Sequence, residues 1–138
     1  MRLWHQKLLP YLDRQRLLGQ HRECAALRGK GWGKKHATVD YVFTRSTNRL
    51  VAYHILVMDE MKRRGYKPDE TWYDVEWRGT AVGRWEYWAS KKVVDLLVKK
   101  AKECNMTIYY EHDDAYLNEC ITLLKEKQAP IDWEKVEV

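Results

Sequence analysis

The chain is 138 residues, 45% hydrophobic and 33% charged, a globular composition long enough for one domain with its own core, which excludes a disordered chain or a pair of large domains. Its net charge is +5, and the distribution is uneven. Residues 1–45 carry +7 and the remaining 93 carry −2, so a polyanionic partner is expected on the N-terminal third. The longest apolar stretch, residues 50–58, is interrupted by His54 and falls far short of the roughly 20 residues that span a bilayer. No signal-peptide core follows Met1. The three cysteines, Cys24, Cys104 and Cys120, are odd in number and widely spaced, which argues against a disulfide framework and for a reducing cytoplasm.

Along the chain, Leu8 and Leu9 before Pro10 suggest a short helical turn. Asp13 is a cap for a helix from about Arg14 to about Arg28. Glycine in the run Gly29-Lys30-Gly31-Trp32-Gly33 is expected to stop it in a left-handed conformation. Thr47-Asn48 caps a second helix, about Arg49 to Arg64, stopped by Gly65 and followed by Pro68. Residues 66–87, with Trp72, Trp77 and Trp85, read as irregular, with room for one hairpin. Ser90 caps a third helix, Lys91 to Cys104. Residues 107–110 suit an extended stretch, and Asp113 or Asp114 opens a fourth helix to about Lys127. The expected class is all-α: a single compact domain over residues 1–138, of about four helices with long irregular connections.

On a wheel of 100° per residue, Leu17, Leu18, His21, Cys24 and Ala25 share the face expected to be buried. Gln15, Gly19, Arg22, Glu23 and Ala26 share the opposite one. Glu23 is the only acid between Asp13 and Asp40. A lone carboxylate on a basic surface repels phosphates. Either it pairs with Arg16, Arg22 or Arg28, or it is a catalytic group that meets a sugar or a developing cation.

The run Leu17-Leu18-Gly19-Gln20-His21-Arg22-Glu23, the basic glycine loop through Lys35-His36, and Lys62-Arg63-Arg64-Gly65-Tyr66 resemble the pyrimidine-dimer DNA glycosylase (endonuclease V) family, in a bacterial branch. The match is clearest over residues 1–40 and returns at 50–66. The resemblance implies a compact all-helical enzyme that excises ultraviolet photoproducts from damaged double-stranded DNA, acts as a monomer, and uses no metal or cofactor. It further implies that the N-terminal α-amine attacks the anomeric carbon, that a Schiff base forms, and that β-elimination nicks the strand. The family's helix Arg-Glu pair matches Arg22-Glu23. An α-amine has a reference pKa near 7.7–8.0 and is partly free base at neutral pH. Where the family starts with a small residue after a removed methionine, this chain has the bulky Arg2, so Met1 is expected to stay and to supply the nucleophile. A basic residue expected one turn after Glu23 is Ala26, and an acidic tail replaces the family's aromatic one.

Arg2, Arg22, Lys34 and Lys35 are the expected phosphate ligands, with His36 beside them, Gln15 at a sugar or base edge, and Arg16 nearer the helix's side. The glycine loop lacks GxxxxGK[ST] order, which rejects nucleotide hydrolysis. The five histidines have no metal-ligand spacing. His21 reads as a core histidine and Cys24 as inert. Trp72, Trp77, Trp85 and Trp88 read as a satellite core, with a wedge into a kinked duplex as the other use. The sequence therefore leads to a DNA glycosylase and AP lyase of the cytoplasm and nucleoid, with Met1 and Glu23 catalytic and no membrane association. The alternatives are a non-catalytic DNA- or RNA-binding module, a lyase on abasic sites only, or a structural protein whose Arg22-Glu23 is plain surface.

Overall fold

A computed structural model describes residues 2–137. The helices are α1 (Arg14–Arg28), the single turn α2 (Asp40–Phe43), α3 (Thr47–Arg63), α4 (Lys91–Cys104) and α5 (Asp114–Glu126), with 3-10 turns at Gln6–Tyr11, Glu70–Tyr73 and Trp133–Lys135. Their starts follow from short polar side chains that satisfy free backbone donors. Asp13 accepts from the Arg16 N–H, Ser90 from Val93 and Asp113 from Tyr116. The 3-10 turn at the N-terminus is longer than Leu8-Leu9 and includes Pro10.

α3 begins two residues earlier than expected because Ser46, not Thr47 or Asn48, is its cap, accepting from the Asn48 N–H at 3.1 Å. The two other side chains are used elsewhere. Thr47 donates to the Trp88 carbonyl, and Asn48 Oδ1 accepts from the Ser90 N–H at 2.7 Å. Together they fasten the end of the Trp-rich segment to the start of α3. Gly65, at φ +87°, ends α3 in the left-handed region. α1 ends differently. Gly29 has φ −91°, so its role is not a left-handed stop. A Cβ on Gly31 would lie 2.7 Å from the Ala26 carbonyl oxygen, so glycine is needed there for close approach of the loop to the helix end.

α3 is the central element. Ten of its residues are buried, from Leu50 to Met61, and both α1 and α4 pack on it. Among the described residues there is no strand; segment 66–87 has one antiparallel bridge, Trp77 to Arg84. The stretch 107–110 does not extend into a strand. Ile108 and Tyr109 are buried, the Ile108 N–H donates to Gln6 Oε1 at 2.7 Å, and its carbonyl accepts from Arg49. Side chains therefore meet the polar groups a partner strand would otherwise have to pair. Trp72 and Trp88 pack on the core, Trp77 lies edge-on to Trp72 at 6.4 Å, and Trp85 remains 53% exposed over the Arg78 guanidinium. No helix among the described residues is long and apolar enough to cross a membrane. The architecture is all-α in one compact domain.

The buried stripe of α1 differs from the wheel. It is Leu17, Gln20, Cys24, Leu27 and Arg28. Leu18, His21 and Ala25 are only half-buried. Two polar residues lie inside because backbone from distant parts of the chain meets them there. Arg28 is fully buried and donates to the carbonyls of Trp72 (2.7 Å), Asp74 (2.9 Å) and Trp77 (2.9 Å), with its guanidinium 5.0 Å from the Trp72 ring centroid. Burial pulls its pKa down to about 10, which leaves it cationic at neutral pH.

Candidate active site

Residues 2–6 run across the open edge of α1, and side chains from four parts of the fold hold their backbone. The Arg2 N–H donates to Glu23 Oε2 at 3.3 Å. The Arg2 carbonyl accepts from Gln20 Nε2 at 2.9 Å, and the Trp4 N–H donates to Gln20 Oε1 at 2.6 Å. The Leu3 carbonyl accepts from the Tyr116 hydroxyl at 2.6 Å, and the Trp4 carbonyl lies 2.6 Å from the Tyr53 hydroxyl. The Gln6 N–H donates to His112 Nδ1 at 3.1 Å. Leu3 is fully buried beneath this strap.

Glu23 is half-buried. Its Oε2 also accepts from Gln20 Nε2 at 2.9 Å. Loss of solvent raises its pKa above the usual carboxylate value; the Arg2 N–H, the Gln20 amide and the nearby His36 pull the other way. Among the described residues it forms no ion pair with Arg16, Arg22 or Arg28. Arg16 is held by Asp13 at 3.3 Å, Arg22 is exposed, and Arg28 is buried in the core. Glu23 thus does not point freely away from the protein. It faces the N-terminal strap, as a carboxylate able to give or take a proton beside the chain's first peptide units.

The structure brings Arg2 and Glu23 together, with His36 within electrostatic reach of that carboxylate, and Met1 lies outside the described residues. The Arg2 guanidinium is directed toward α5, with Tyr116 Oη at 3.4 Å and Glu119 at 3.5 Å. Gln15, Arg22, Lys34, Lys35 and His36 are exposed. A Cβ on Gly19 would lie 3.7 Å from the Arg22 guanidinium, an ordinary van der Waals contact, so the exposed Arg22 side chain lies along Gly19 on this helix face. The His36 N–H donates to Asp40 Oδ1 at 2.7 Å, and its ring meets the Thr38 hydroxyl at 2.9 Å. No group of three His, Cys, Asp or Glu side chains among the described residues is disposed to hold a metal ion.

Two histidine arrangements flank the strap's supports. His21 Nδ1 lies 2.7 Å from His54 Nε2, and His54 Nδ1 lies 3.0 Å from Arg28 Nη1. A guanidinium only donates, so His54 Nδ1 accepts and its proton is on Nε2, which donates to His21. The His21 proton is then on Nε2. Burial lowers the pKa of both rings, which agrees with neutral forms. On the other side, His112 accepts from Gln6 at Nδ1, which places its proton on Nε2, 3.0 Å from the Tyr41 hydroxyl.

Sequence reasoning singled out Glu23 and Arg2, which the structure joins by a hydrogen bond, but not Gln20, Tyr53, Tyr116 or His112. The available signal was Gln20, a polar residue at the i−3 position from Glu23, on a helix otherwise set to bury that side.

A family profile described as pyrimidine dimer DNA glycosylase matches residues 1–74, a span of the 138-residue chain that includes the whole strap, α1, the glycine loop and α3. No curated protein matches the chain, and no solved structure does. With more than half of its length matched, including the Arg22-Glu23 helix and the strap that faces it, the chain belongs to the pyrimidine dimer DNA glycosylase family.

Proposed function

We propose that this protein removes pyrimidine dimers from double-stranded DNA by attack of the Met1 α-amine on the damaged nucleotide's sugar, and then nicks the strand as an AP lyase. The observation that carries the reading is the hydrogen bond from the Arg2 N–H to Glu23. A single peptide unit joins Met1 to Arg2, so covalent geometry keeps the α-amine within about 7 Å of Glu23 Oε2 in any conformation of the first residue.

The amine lone pair forms a bond to C1′, and the C1′–N bond to the base breaks, the base leaving with the bonding pair. The sugar ring opens to an iminium linkage between the amine and C1′. Loss of a proton from C2′ then expels the 3′ phosphate by β-elimination, and water releases the enzyme. Glu23 stabilises the cationic sugar and afterwards moves protons for ring opening and elimination. Burial raises its pKa above the usual carboxylate value, a shift in the direction that suits a group which both takes and returns a proton. Gln15 meets a sugar or base edge, and Arg22, Lys34, Lys35 and His36, with Arg2 and Arg16 at the edges, hold the phosphates. This contact is salt-sensitive and independent of sequence. A dimer weakens stacking and lowers the cost of extruding a nucleotide, which gives selectivity for the lesion.

The test is borohydride trapping with an untagged N-terminus on duplexes bearing a cyclobutane dimer, an abasic site or no damage. Mass spectrometry then maps the cross-link. Attachment at the Met1 amine on the dimer duplex is expected. Trapping on the abasic duplex alone reduces the activity to a lyase, and no trapping on either overturns the imine mechanism.

A further inference from the structure

We infer that Gln20 is a positioning residue of the reaction, its one carboxamide holding the N-terminal strap and the Glu23 carboxylate in a fixed relation. The inference rests on the amine–carboxylate reading above and names the group that sets its geometry. A carboxamide offers two N–H donors and an oxygen with two lone pairs. Gln20 uses both donors and its oxygen: Nε2 donates to the Arg2 carbonyl and to Glu23 Oε2, both at 2.9 Å, and Oε1 accepts from the Trp4 N–H at 2.6 Å; the single proton of the Tyr53 hydroxyl lies between the Trp4 carbonyl at 2.6 Å and Gln20 Oε1 at 2.9 Å. The orientation of the amide is not arbitrary. The Trp4 N–H only donates and the Arg2 carbonyl only accepts, so oxygen and nitrogen can be placed one way alone.

The arrangement pairs the side chain with the carbonyl of residue 2 and the N–H of residue 4, as a neighbouring strand would. Gln20 is buried and packed on Tyr53, so it is anchored from α3 as well as from its own helix. Both hydrogen bonds that Glu23 accepts from described residues fall on Oε2. One oxygen is therefore committed to holding the carboxylate against the strap, and Oε1 is the atom left to meet substrate. Without Gln20 the Arg2 carbonyl loses its donor, the Trp4 N–H loses its acceptor, and among the described residues Glu23 keeps only the Arg2 N–H as a hydrogen-bond donor.

The experiment compares wild type, Gln20→Met and Gln20→Glu in single-turnover borohydride trapping on an abasic duplex, from about pH 5 to about pH 9. Duplex affinity by fluorescence anisotropy and urea midpoints are measured alongside. Loss of positioning is expected to slow trapping by about 10²-fold in both variants while affinity changes less than about 2-fold, since a small misplacement of reacting groups has a cost of that order. In Gln20→Glu a second carboxylate beside Glu23 moves the acid limb of the rate profile to higher pH; a merely structural role leaves that limb in place. A folded variant that traps at the wild-type rate with the wild-type profile overturns the inference and leaves the amine mechanism standing. A wild-type protein that traps nothing ends both. If the variants do not fold, the Gln20 side-chain amide of wild type is followed by NMR. Slow exchange and movement of its two protons with the Glu23 titration support the inference, and a fast-exchanging pair indifferent to that titration overturns it.

Discussion

His112 gives the sharpest prediction about stability. Its ring is buried, accepts the Gln6 N–H at Nδ1 and stacks on both His5 and Tyr116. A second proton at Nδ1 has to displace the Gln6 N–H and charge a ring without solvent. Burial therefore lowers its pKa from 6.5 to about 3. The unfolded chain binds this proton below its ordinary value and the folded chain does not, so stability is full above that value and falls as pH drops toward the folded one. Going from about pH 7 to about pH 5, this one residue costs about 2 kcal/mol. For a chain of this length that is a fall in Tm of about 7 °C. The assay is urea and thermal unfolding of wild type and His112→Asn at both pH values. Asparagine keeps an acceptor for the Gln6 N–H and has no titration. It is expected to be less stable at neutral pH but to lose about 2 kcal/mol less on acidification. Equal acid losses in the two proteins refute the assignment of a buried neutral ring.

Three further outcomes follow from the geometry. Glu23→Gln keeps an acceptor for the Arg2 N–H but removes the charge; single-turnover excision should fall by about 10²- to 10⁴-fold with duplex affinity retained, and undiminished excision removes Glu23 from the mechanism. Arg22→Ala removes an exposed charge from the open face of α1; a plot of log affinity against log salt should lose about 0.9 from its slope, and an unchanged slope removes Arg22 from the phosphate contacts. Gly31→Ala places a methyl 2.7 Å from the Ala26 carbonyl oxygen; it should cost about 1–3 kcal/mol in a denaturant melt, where a wild-type midpoint contradicts the close approach.

The starts of α1 and α4 were legible because Asp13 and Ser90 are local signals, each acting within three residues. The all-α class followed from the same kind of signal. The interior of α1 was not legible, since periodicity assigns polar residues to the outside. Gln20 and Arg28 are inside because residues 2–4 and 72–77 bring carbonyls and N–H groups to them, and no wheel contains those segments. Glu23 drew notice by its isolation among basic residues, yet its outward direction was misread for the same reason: the strap that covers it comes from a different part of the chain. Ser46 displaced Thr47 and Asn48 as the cap of α3 because both of those reach across to residues 88 and 90. Residues 107–110 have strand-like composition, but Gln6 and Arg49 complete their hydrogen bonding, and composition holds no record of such partners.

The strap's fastenings span very different chain distances. Gln20 is 16 residues from Trp4, Tyr53 is 49 from it, His112 is 106 from Gln6 and Tyr116 is 113 from Leu3. Contacts that close long loops carry the larger entropy cost and depend on elements already in place. Residues 2–6 are held in full only once α1, α3 and α5 have met. A chain in which those elements have not met leaves this strap unfastened and Glu23 without the Arg2 N–H. The chemistry proposed for Glu23 is in this way tied to completion of the fold.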